Sequence, residues 1–303
     1  MSQSQNLESL LGEDRICENV DLSTYTTMGI KSVAQFFFEA RSEEDLILSH
    51  KVARELGVPF LLIGGGSNIA TISQRVSGLI VCNRYQEKKR IRKKDNHIFL
   101  EVSSGYLLSK LIREVADEGF SGIEHLFGIP GTVGGAVCMN AKWTNPPYSI
   151  GNAVEYAYIM DRNSSIRKVG GEYFKFADGY SAIQDTKEII LSVGLSLTKK
   201  SPAIIKGTMN TVLEYRKKTQ PQGVLSNGCF FQNPPTSSAG LLIEKTRLKG
   251  FSVGKFSVSN IHANYIIHRG GGTGKELHAL IQLIKQKVKR KFAIVLKEEV
   301  VVI

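Results

Sequence analysis

An α+β fold in two parts is the architecture the sequence predicts, and three observations predict it. Strand-like stretches outnumber helical ones up to residue 199, a Lys-Lys-Ser-Pro break interrupts the pattern at 199–202, and helices dominate from there to a closing strand. The first residues, 1–20, are polar and acidic and read as a loosely held lead-in.

A βαβ-like unit follows. Residues 34–39 form a strand of alternating and aromatic residues. Residues 42–56 form a helix, with Ser42 as N-cap and Leu46, Ile47, Val52 and Leu56 as a rough apolar face. A short apolar strand, 59–63, runs directly into Gly64-Gly65-Gly66-Ser67-Asn68. Strands 78–83 and 97–103 bracket the basic run Lys88-Lys89-Arg90-Ile91-Arg92-Lys93-Lys94. That run reads as a solvated hairpin, and it lacks the interleaved aromatics of a nucleic-acid platform. Helix 107–118 is amphipathic and ends at Gly119, a natural C′ residue. A glycine-rich stretch, 128–136, precedes strands 154–161, 166–169 and 189–197. The second part carries helices 203–218, 238–246 and 275–292 and then a strand, 295–303.

The 303 residues are enough for two or three domains with real cores. With 42% hydrophobic and 22% charged residues the chain reads as a soluble globular protein. Its net charge of +11 favours anionic partners: nucleic acid, anionic lipid or small phosphorylated molecules. The cysteines, Cys17, Cys82, Cys138 and Cys229, are scattered without Cys-x-x-Cys spacing, so no metal site is expected. The N-terminus has no signal-like apolar region, and no apolar stretch approaches the roughly 18 residues of a membrane span. A cytoplasmic protein with reduced thiols is the expectation.

Four motifs carry chemistry. Gly64-Gly65-Gly66-Ser67-Asn68 at a strand end exposes backbone N–H groups and admits an anion closely, with Ser67 and Asn68 adding side-chain donors. It suits a pyrophosphate, or it is only a tight turn; the G-x-G-x-x-G spacing is missing. Gly128-Ile129-Pro130-Gly131-Thr132-Val133-Gly134-Gly135-Ala136 repeats that logic, and two such loops in one β-rich region favour a large anionic cofactor. Thr26 and Thr27, after Tyr25, add hydroxyls. Asn227-Gly228-Cys229-Phe230-Phe231-Gln232-Asn233-Pro234 offers a thiol to a ligand, although a lone cysteine is more often structural. In Leu296-Lys297-Glu298-Glu299-Val300, alternation puts Leu296, Glu298 and Val300 on one face and Lys297 and Glu299 on the other. Gly272-Thr273-Gly274-Lys275 imitates a phosphate-binding P-loop, but Arg269 and Glu276 stand where Gly and Ser or Thr are required, so it reads as a helix cap.

Together these segments resemble the UDP-N-acetylenolpyruvoylglucosamine reductase (MurB) family, in order and over roughly residues 22–303. Tyr25-Thr26-Thr27-Met28-Gly29-Ile30 is similar to its N-terminal signature. The two glycine-rich loops, the second running from Gly122-Ile123-Glu124-His125-Leu126 to Asn140, are similar to its FAD loops. Arg216 with Thr219-Gln220-Pro221, the Cys229 segment, Ala239-Gly240-Leu241-Leu242-Ile243-Glu244, Ser259 with His262-Ala263-Asn264, and Glu299-Val300 complete the match. The short connection from Ser181 to Cys229 resembles the family's compact type, without a tyrosine-bearing loop.

The resemblance implies an FAD-binding domain of the PCMH, vanillyl-alcohol-oxidase-like type over 21–200, itself of two α+β subdomains, and a C-terminal α+β substrate-binding domain over 201–303, with the last strand able to return to the first. It implies NADPH-dependent reduction of an enolpyruvyl UDP-sugar through FAD, in peptidoglycan precursor synthesis, by a monomer that binds neither nucleic acid nor metal. FAD contacts would come from Tyr25, Thr26, Thr27, Gly64, Gly65, Gly66, Ser67, Asn68, Pro130, Gly131, Thr132, Gly134, Gly135 and Ala136. Cys229 would be the proton donor, where the family usually has Ser; a thiol, with an ordinary pKa of about 8.5, is a stronger acid than an alcohol. Glu299 would be the catalytic glutamate, and Arg216 and Asn233 would contact substrate.

Two departures stand out. Gly179, in Asp178-Gly179-Tyr180-Ser181, occupies the place of the arginine of a Tyr-Arg-x-Ser motif, which offsets charge on the substrate carboxylate. Loss of one such donor typically costs about 10²–10³ in rate, with Arg216, Lys217 or Lys218 as partial replacements. The stretch 141–148, containing Trp143, is bulkier than the family's small-residue loop and is expected to alter flavin access. Gly179 leaves open a catalytically impaired FAD- or nucleotide-binding homologue, and fold analogy leaves open a flavin oxidase acting on another sugar.

Overall fold

The computed structural model describes residues 2–94 and 96–303. They divide into two compact units: Met1–Cys17, Phe37–Gly65 and Leu79–Arg216 in the first, and Glu18–Phe36, Gly66–Gly78 and Lys217–Ile303 in the second. Both mix helices and strands, as the α+β class requires.

The first unit opens with α1 (Gln3–Leu11). The sequence reads this stretch as a loose lead-in, but Ser2 and Gln5 close a capping box and Leu7 and Leu11 are buried. A few apolar residues among polar ones suffice because only one helical stripe needs covering. This unit holds β3 (Phe60–Ile63) and the parts Ile16–Cys17 of β1 (Ile16–Asp21), Phe37–Ala40 of β2 (Val33–Ala40) and Leu79–Asn83 of β5 (Arg75–Asn83), strands of a four-stranded sheet in the order β1-β2-β5-β3. Strand β4 (Ile69–Ala70) lies outside it. The expected βαβ-like unit is present. Helix α2 (Glu43–Glu55) starts at Ser42, whose hydroxyl accepts from the Asp45 N–H, and acids fill its first turn, where the helix dipole favours them. Strand β3 runs parallel to β5, from Phe60 opposite Leu79 to Ile63 opposite Cys82, and so ends at Gly64.

A six-stranded antiparallel sheet forms the rest of this unit. It contains β6 (Lys88–Lys94), β7 (His97–Ser103), β8 (Phe120–Ser121), β11 (Val154–Met160), β12 (Ile166–Gly170) and β13 (Ile189–Lys199), in the order β12-β11-β13-β7-β6 with β8 also on β13. Strand β13 is central and buried from Ile189 to Leu195, which explains its nearly unbroken apolar sequence. Helix α3 (Leu108–Asp117) lays Leu108, Leu111, Ile112 and Val115 into the core beside Leu100, Val102, Val133, Val137 and Leu195. It stops at Gly119, whose φ of +78° is the conformation expected of that glycine. The basic run is not a bare hairpin loop: it is the edge strand β6, with a register break between Arg90 and Arg92 and with Ile91 exposed. Lys88 pairs with Glu114 of α3 at 2.7 Å, and Arg90 with Glu118, the residue that caps that helix. A lysine-rich edge also discourages pairing with another chain. Short helices α4 (Val133–Cys138) and α5 (Ile183–Thr186), the hairpin strands β9 (Lys142–Thr144) and β10 (Pro147–Ser149), and most of α6 (Pro202–Thr219) complete the unit.

In the second unit, α7 (Ala239–Lys245) and α8 (Gly274–Phe292) share a core with the antiparallel sheet β14 (Ser252–Val253), β15 (Phe256–Val258) and β16 (Ile266–His268). Leu277, Leu280, Ile281, Ile284 and Val288 of α8 face Phe230, Leu242, Ile243 and Phe256. The P-loop imitation is a capping box: Thr273 accepts from the Glu276 N–H, and the Glu276 carboxylate accepts from the Thr273 N–H at 2.7 Å. The strand expected at 295–303 shrinks to β17 (Val301–Val302), parallel to β4. Upstream, the chain bonds instead to the Cys229 segment: the Gln232 N–H donates to Lys297 O and the Glu299 N–H to Phe230 O, both at 2.9 Å.

Candidate functional site

In the first unit the two glycine-rich loops touch. A Cβ on Gly65 would stand 2.6 Å from Gly131 Cα, and one on Gly64 would stand 2.6 Å from Thr132 Oγ1. Glycine is therefore required by backbone-to-backbone approach. The second loop is fixed from behind: Val133 N–H donates to Tyr106 O and Gly134 N–H to Ser104 O, while Thr132 caps α4 by accepting from Gly135 N–H. Ala136 closes on Thr132 O, and Pro130 and Gly135 lie at the surface. Among the described residues, no protein acceptor takes the N–H groups of Gly64, Gly65, Gly131 or Thr132. Four such donors on two abutting loops fit the diphosphate of a dinucleotide. Ser104, which braces the loop, has no local sequence signal.

Beneath the loop, the Glu124 carboxylate accepts from Ser121 Oγ at 2.6 Å and from Gly122 N–H at 2.7 Å, and it is only 3% exposed. Burial pushes its pKa up, but the Gly122 and Ser121 hydrogen bonds outweigh that and hold it below the usual glutamate value. Arg216 lies against Gly128, and its guanidinium sits 5.6 Å from the Trp143 ring. The bulky stretch 141–148 is the β9–β10 hairpin, with Tyr148 opposite Trp143 and Trp143 packed edge-on to Tyr215 at 5.1 Å.

Gly179 sits buried in a turn, with φ of +62° and its carbonyl accepting from Gln184 Nε2. Ser181 Oγ donates to Cys138 O at 2.7 Å, and Asn140 Nδ2 to Ala177 O at 2.8 Å, tying the turn to the end of α4. A cation does reach this turn: Lys142 forms an ion pair with Asp178. Sequence reasoning names Arg216, Lys217 or Lys218 as partial replacements and does not consider Lys142, whose Asp178 partner is 36 positions away.

The second unit gathers the remaining residues. A Cβ on Gly66 would fall 1.8 Å from Tyr25 O and 2.8 Å from Thr26 Cα, so the Tyr25–Thr27 stretch lies flat on the Gly66-Ser67-Asn68 stretch. Thr27 N–H donates to Gly66 O at 3.1 Å. Asn227 ties the two together, its Nδ2 lying within 3.1–3.3 Å of Ser67 O, Ile69 O and Thr27 Oγ1. The sequence places Asn227 in the cysteine motif but assigns it no task.

Gly228, at φ +78°, then turns the chain so that half-buried Cys229 bridges to Tyr265. Phe230 and Phe231 anchor it in the core, and buried Asn264 exchanges side-chain hydrogen bonds with the Phe231 backbone at 2.8 and 3.0 Å. Glu298 and Glu299 part company as the alternation predicts: Glu298 pairs with Lys285 at 2.9 Å, whereas Glu299 is bound through its backbone to Phe230 and to Asn68 Nδ2, at 2.9 and 3.0 Å. Asn233 Oδ1 accepts from the Ala239 N–H, so that residue also orders the approach to α7.

A family model described as the C-terminal domain of UDP-N-acetylenolpyruvoylglucosamine reductase matches residues 220–303, and one described as an FAD binding domain matches residues 34–170. The UDP-N-acetylenolpyruvoylglucosamine reductase of Chlamydia felis is 34% identical over 282 residues, 93% of this chain and 92% of its own length. The chain belongs to this reductase family. A reductase of the same name from Acaryochloris marina is 31% identical over 301 residues, 98% of this chain and 96% of its own. Among solved structures, the Thermus caldophilus reductase matches with a TM-score of 0.77 at 30% identity, covering 93% of this chain and 97% of that one. Both regions that carry the reductase motifs, the paired glycine loops and the Cys229 segment, fall inside the matched regions. FAD is the cofactor, and the bare N–H groups of the glycine loops suit its diphosphate.

Proposed function

We propose that this protein catalyses the NADPH-dependent reduction of UDP-N-acetylenolpyruvoylglucosamine to UDP-N-acetylmuramate, a step of peptidoglycan precursor synthesis. The observation that carries the reading is a reductase relationship over nearly the whole chain, joined to a Cys229 segment hydrogen-bonded to the Glu299 backbone. When bound, FAD would supply the hydride chemistry that links NADPH to C3 of the enolpyruvyl group.

The chain's own residues do the rest. Gly64, Gly65, Gly131 and Thr132 offer N–H groups to the cofactor diphosphate; Pro130, Gly134, Gly135 and Ala136 shape the loop. Tyr25, Thr26, Thr27, Gly66, Ser67 and Asn68, where the first stretch lies against the second, are further candidates for cofactor contact by the reductase resemblance. Cys229 gives its thiol proton to C2, and its anchoring by Phe230 and Phe231 keeps that proton in one place. Glu299 acts on the substrate carboxylate, and Arg216 and Asn233 bind substrate. A net charge of +11 favours the approach of NADPH and a UDP-sugar, both polyanions. The reading includes a monomeric, cytoplasmic enzyme; no helix among the described residues is long and apolar enough to cross a membrane.

The test separates the half-reactions. NADPH should bleach the protein's visible flavin absorbance, and the enolpyruvyl substrate should restore it. Cys229→Ala should keep the bleaching and lose the recovery, by about 10²-fold or more in rate. Bleaching without recovery in the natural protein would instead favour an impaired homologue, the alternative that Gly179 motivates. Recovery at the natural rate in Cys229→Ala would remove the thiol from the mechanism.

A further inference from the structure

We propose that Lys142 is the cation that receives the substrate's enolpyruvyl carboxylate, from the strand next to the turn where Gly179 stands; this rests on the reductase reading above. Hydride delivery at C3 pushes electron density toward C2 and its carboxylate, and a fixed cation there lowers the barrier. The turn that holds Gly179 is tied to the second glycine loop: Ser181 and Asn140 bind it to the end of that loop's helix. Its backbone disfavours the family's own solution, because Gly179 is buried and left-handed, a conformation that costs a side-chained residue about 1–2 kcal/mol.

Lys142 brings a positive charge to that turn from β9. Its ammonium group pairs with Asp178, the residue before Gly179. The strand beneath it is held by the β9–β10 pairing and by Trp143, 8% exposed, locked against Tyr215. The backbone that carries the ammonium is therefore ordered, and Asp178 draws the ammonium to the turn. The Lys142 side chain keeps 31% of its exposure and Asp178 keeps 61%, so a second anion can reach the pair from solvent. Arg216, given a substrate contact above, has its guanidinium over Trp143 and its stem on Gly128. An ammonium is a point charge without the bidentate fork of guanidinium, so it can serve from a neighbouring strand without reproducing the arginine's geometry. The bulky hairpin that departs from the family pattern is then the element that carries the replacement charge.

The experiment uses full-length protein loaded with FAD. Lys142→Gln and Lys142→Arg are compared with the natural protein by stopped-flow reduction with NADPH, by stopped-flow reoxidation with the enolpyruvyl UDP-sugar, and by calorimetric titration of that sugar into oxidised protein. Lys142→Gln should leave the NADPH step and the melting temperature unchanged, and it should slow reoxidation by about 10²-fold with weaker sugar binding. Lys142→Arg should recover most of both losses. Natural reoxidation and binding in Lys142→Gln would overturn the proposal. So would an equal fall in both half-reactions, which marks a damaged flavin pocket. A natural protein that the sugar fails to reoxidise would overturn the reductase reading, and this proposal with it, before any variant is compared.

Discussion

Replacing Gly65 with alanine probes the contact between the two glycine loops. The new Cβ would lie 2.6 Å from Gly131 Cα, where ordinary contact begins at 3.4 Å, so the loops must part by 3.4 − 2.6 = 0.8 Å. Gly65 is not in the left-handed region, so the contact alone supplies the perturbation. Its neighbour is backbone, so no side chain can swing aside. Overpacking of this kind costs about 1–3 kcal/mol. The displacement also carries the Gly64 and Gly65 N–H groups away from those of Gly131 and Thr132. A hydrogen bond to a charged group contributes about 1.5–3 kcal/mol, and about 1.4 kcal/mol is a factor of ten in affinity. Loss of one such bond predicts FAD binding weaker by roughly ten- to a hundredfold. Titration of FAD into Gly65→Ala apoprotein, followed by flavin fluorescence, measures this directly, with a melting curve to register the cost to folding. Natural FAD affinity in a folded Gly65→Ala protein would refute the reasoning, since the loops would then be free to separate without consequence for the cofactor.

Two further outcomes are expected away from the chemistry. Glu124 has a folded-state pKa below its unfolded one, so it stabilises the protein above the ordinary glutamate range and the contribution is lost as pH falls through the folded value. Glu124→Gln should cost about 1–3 kcal/mol at neutral pH and flatten the acid limb of urea-derived stability; an acid limb parallel to the natural one would contradict the assignment. Gly207 is exposed within α6, and a Cβ there meets nothing within 4 Å. Gly207→Ala should therefore raise stability by about 0.5–1 kcal/mol, read as a higher denaturation midpoint, and a lower midpoint would show that the helix needs that glycine.

The long periodic elements and the bare loops were legible because their signals are local. Helix α3 shows one apolar face and a terminal glycine, α8 opens on a capping box, and three consecutive glycines after a strand have few structural uses. The basic run reads as a solvated hairpin, and β6 does pair antiparallel with β7, but its ion pairs with Glu114 and Glu118, in and at the end of α3, have no local signal. Alternation predicted a full strand at 295–303, but β4 offers a partner only to Val301 and Val302. In the candidate site, glycines and Cys229 were identifiable by type, whereas Asn227, Asn264 and Ser104 are ordinary polar residues whose importance comes from what folding sets beside them. Lys142 lay in plain view within a stretch read as bulk, and only the turn at Asp178 gives it a purpose.

The conformation of Gly179 also sets what an engineered side chain would meet there. An arginine introduced at this position would meet a backbone penalty of roughly 1–2 kcal/mol and would have to thread a long cationic chain out of a buried turn. Each such variant starts at a disadvantage before any benefit to the reaction is felt, so added positive charge near this turn is more cheaply placed on the neighbouring β9–β10 hairpin.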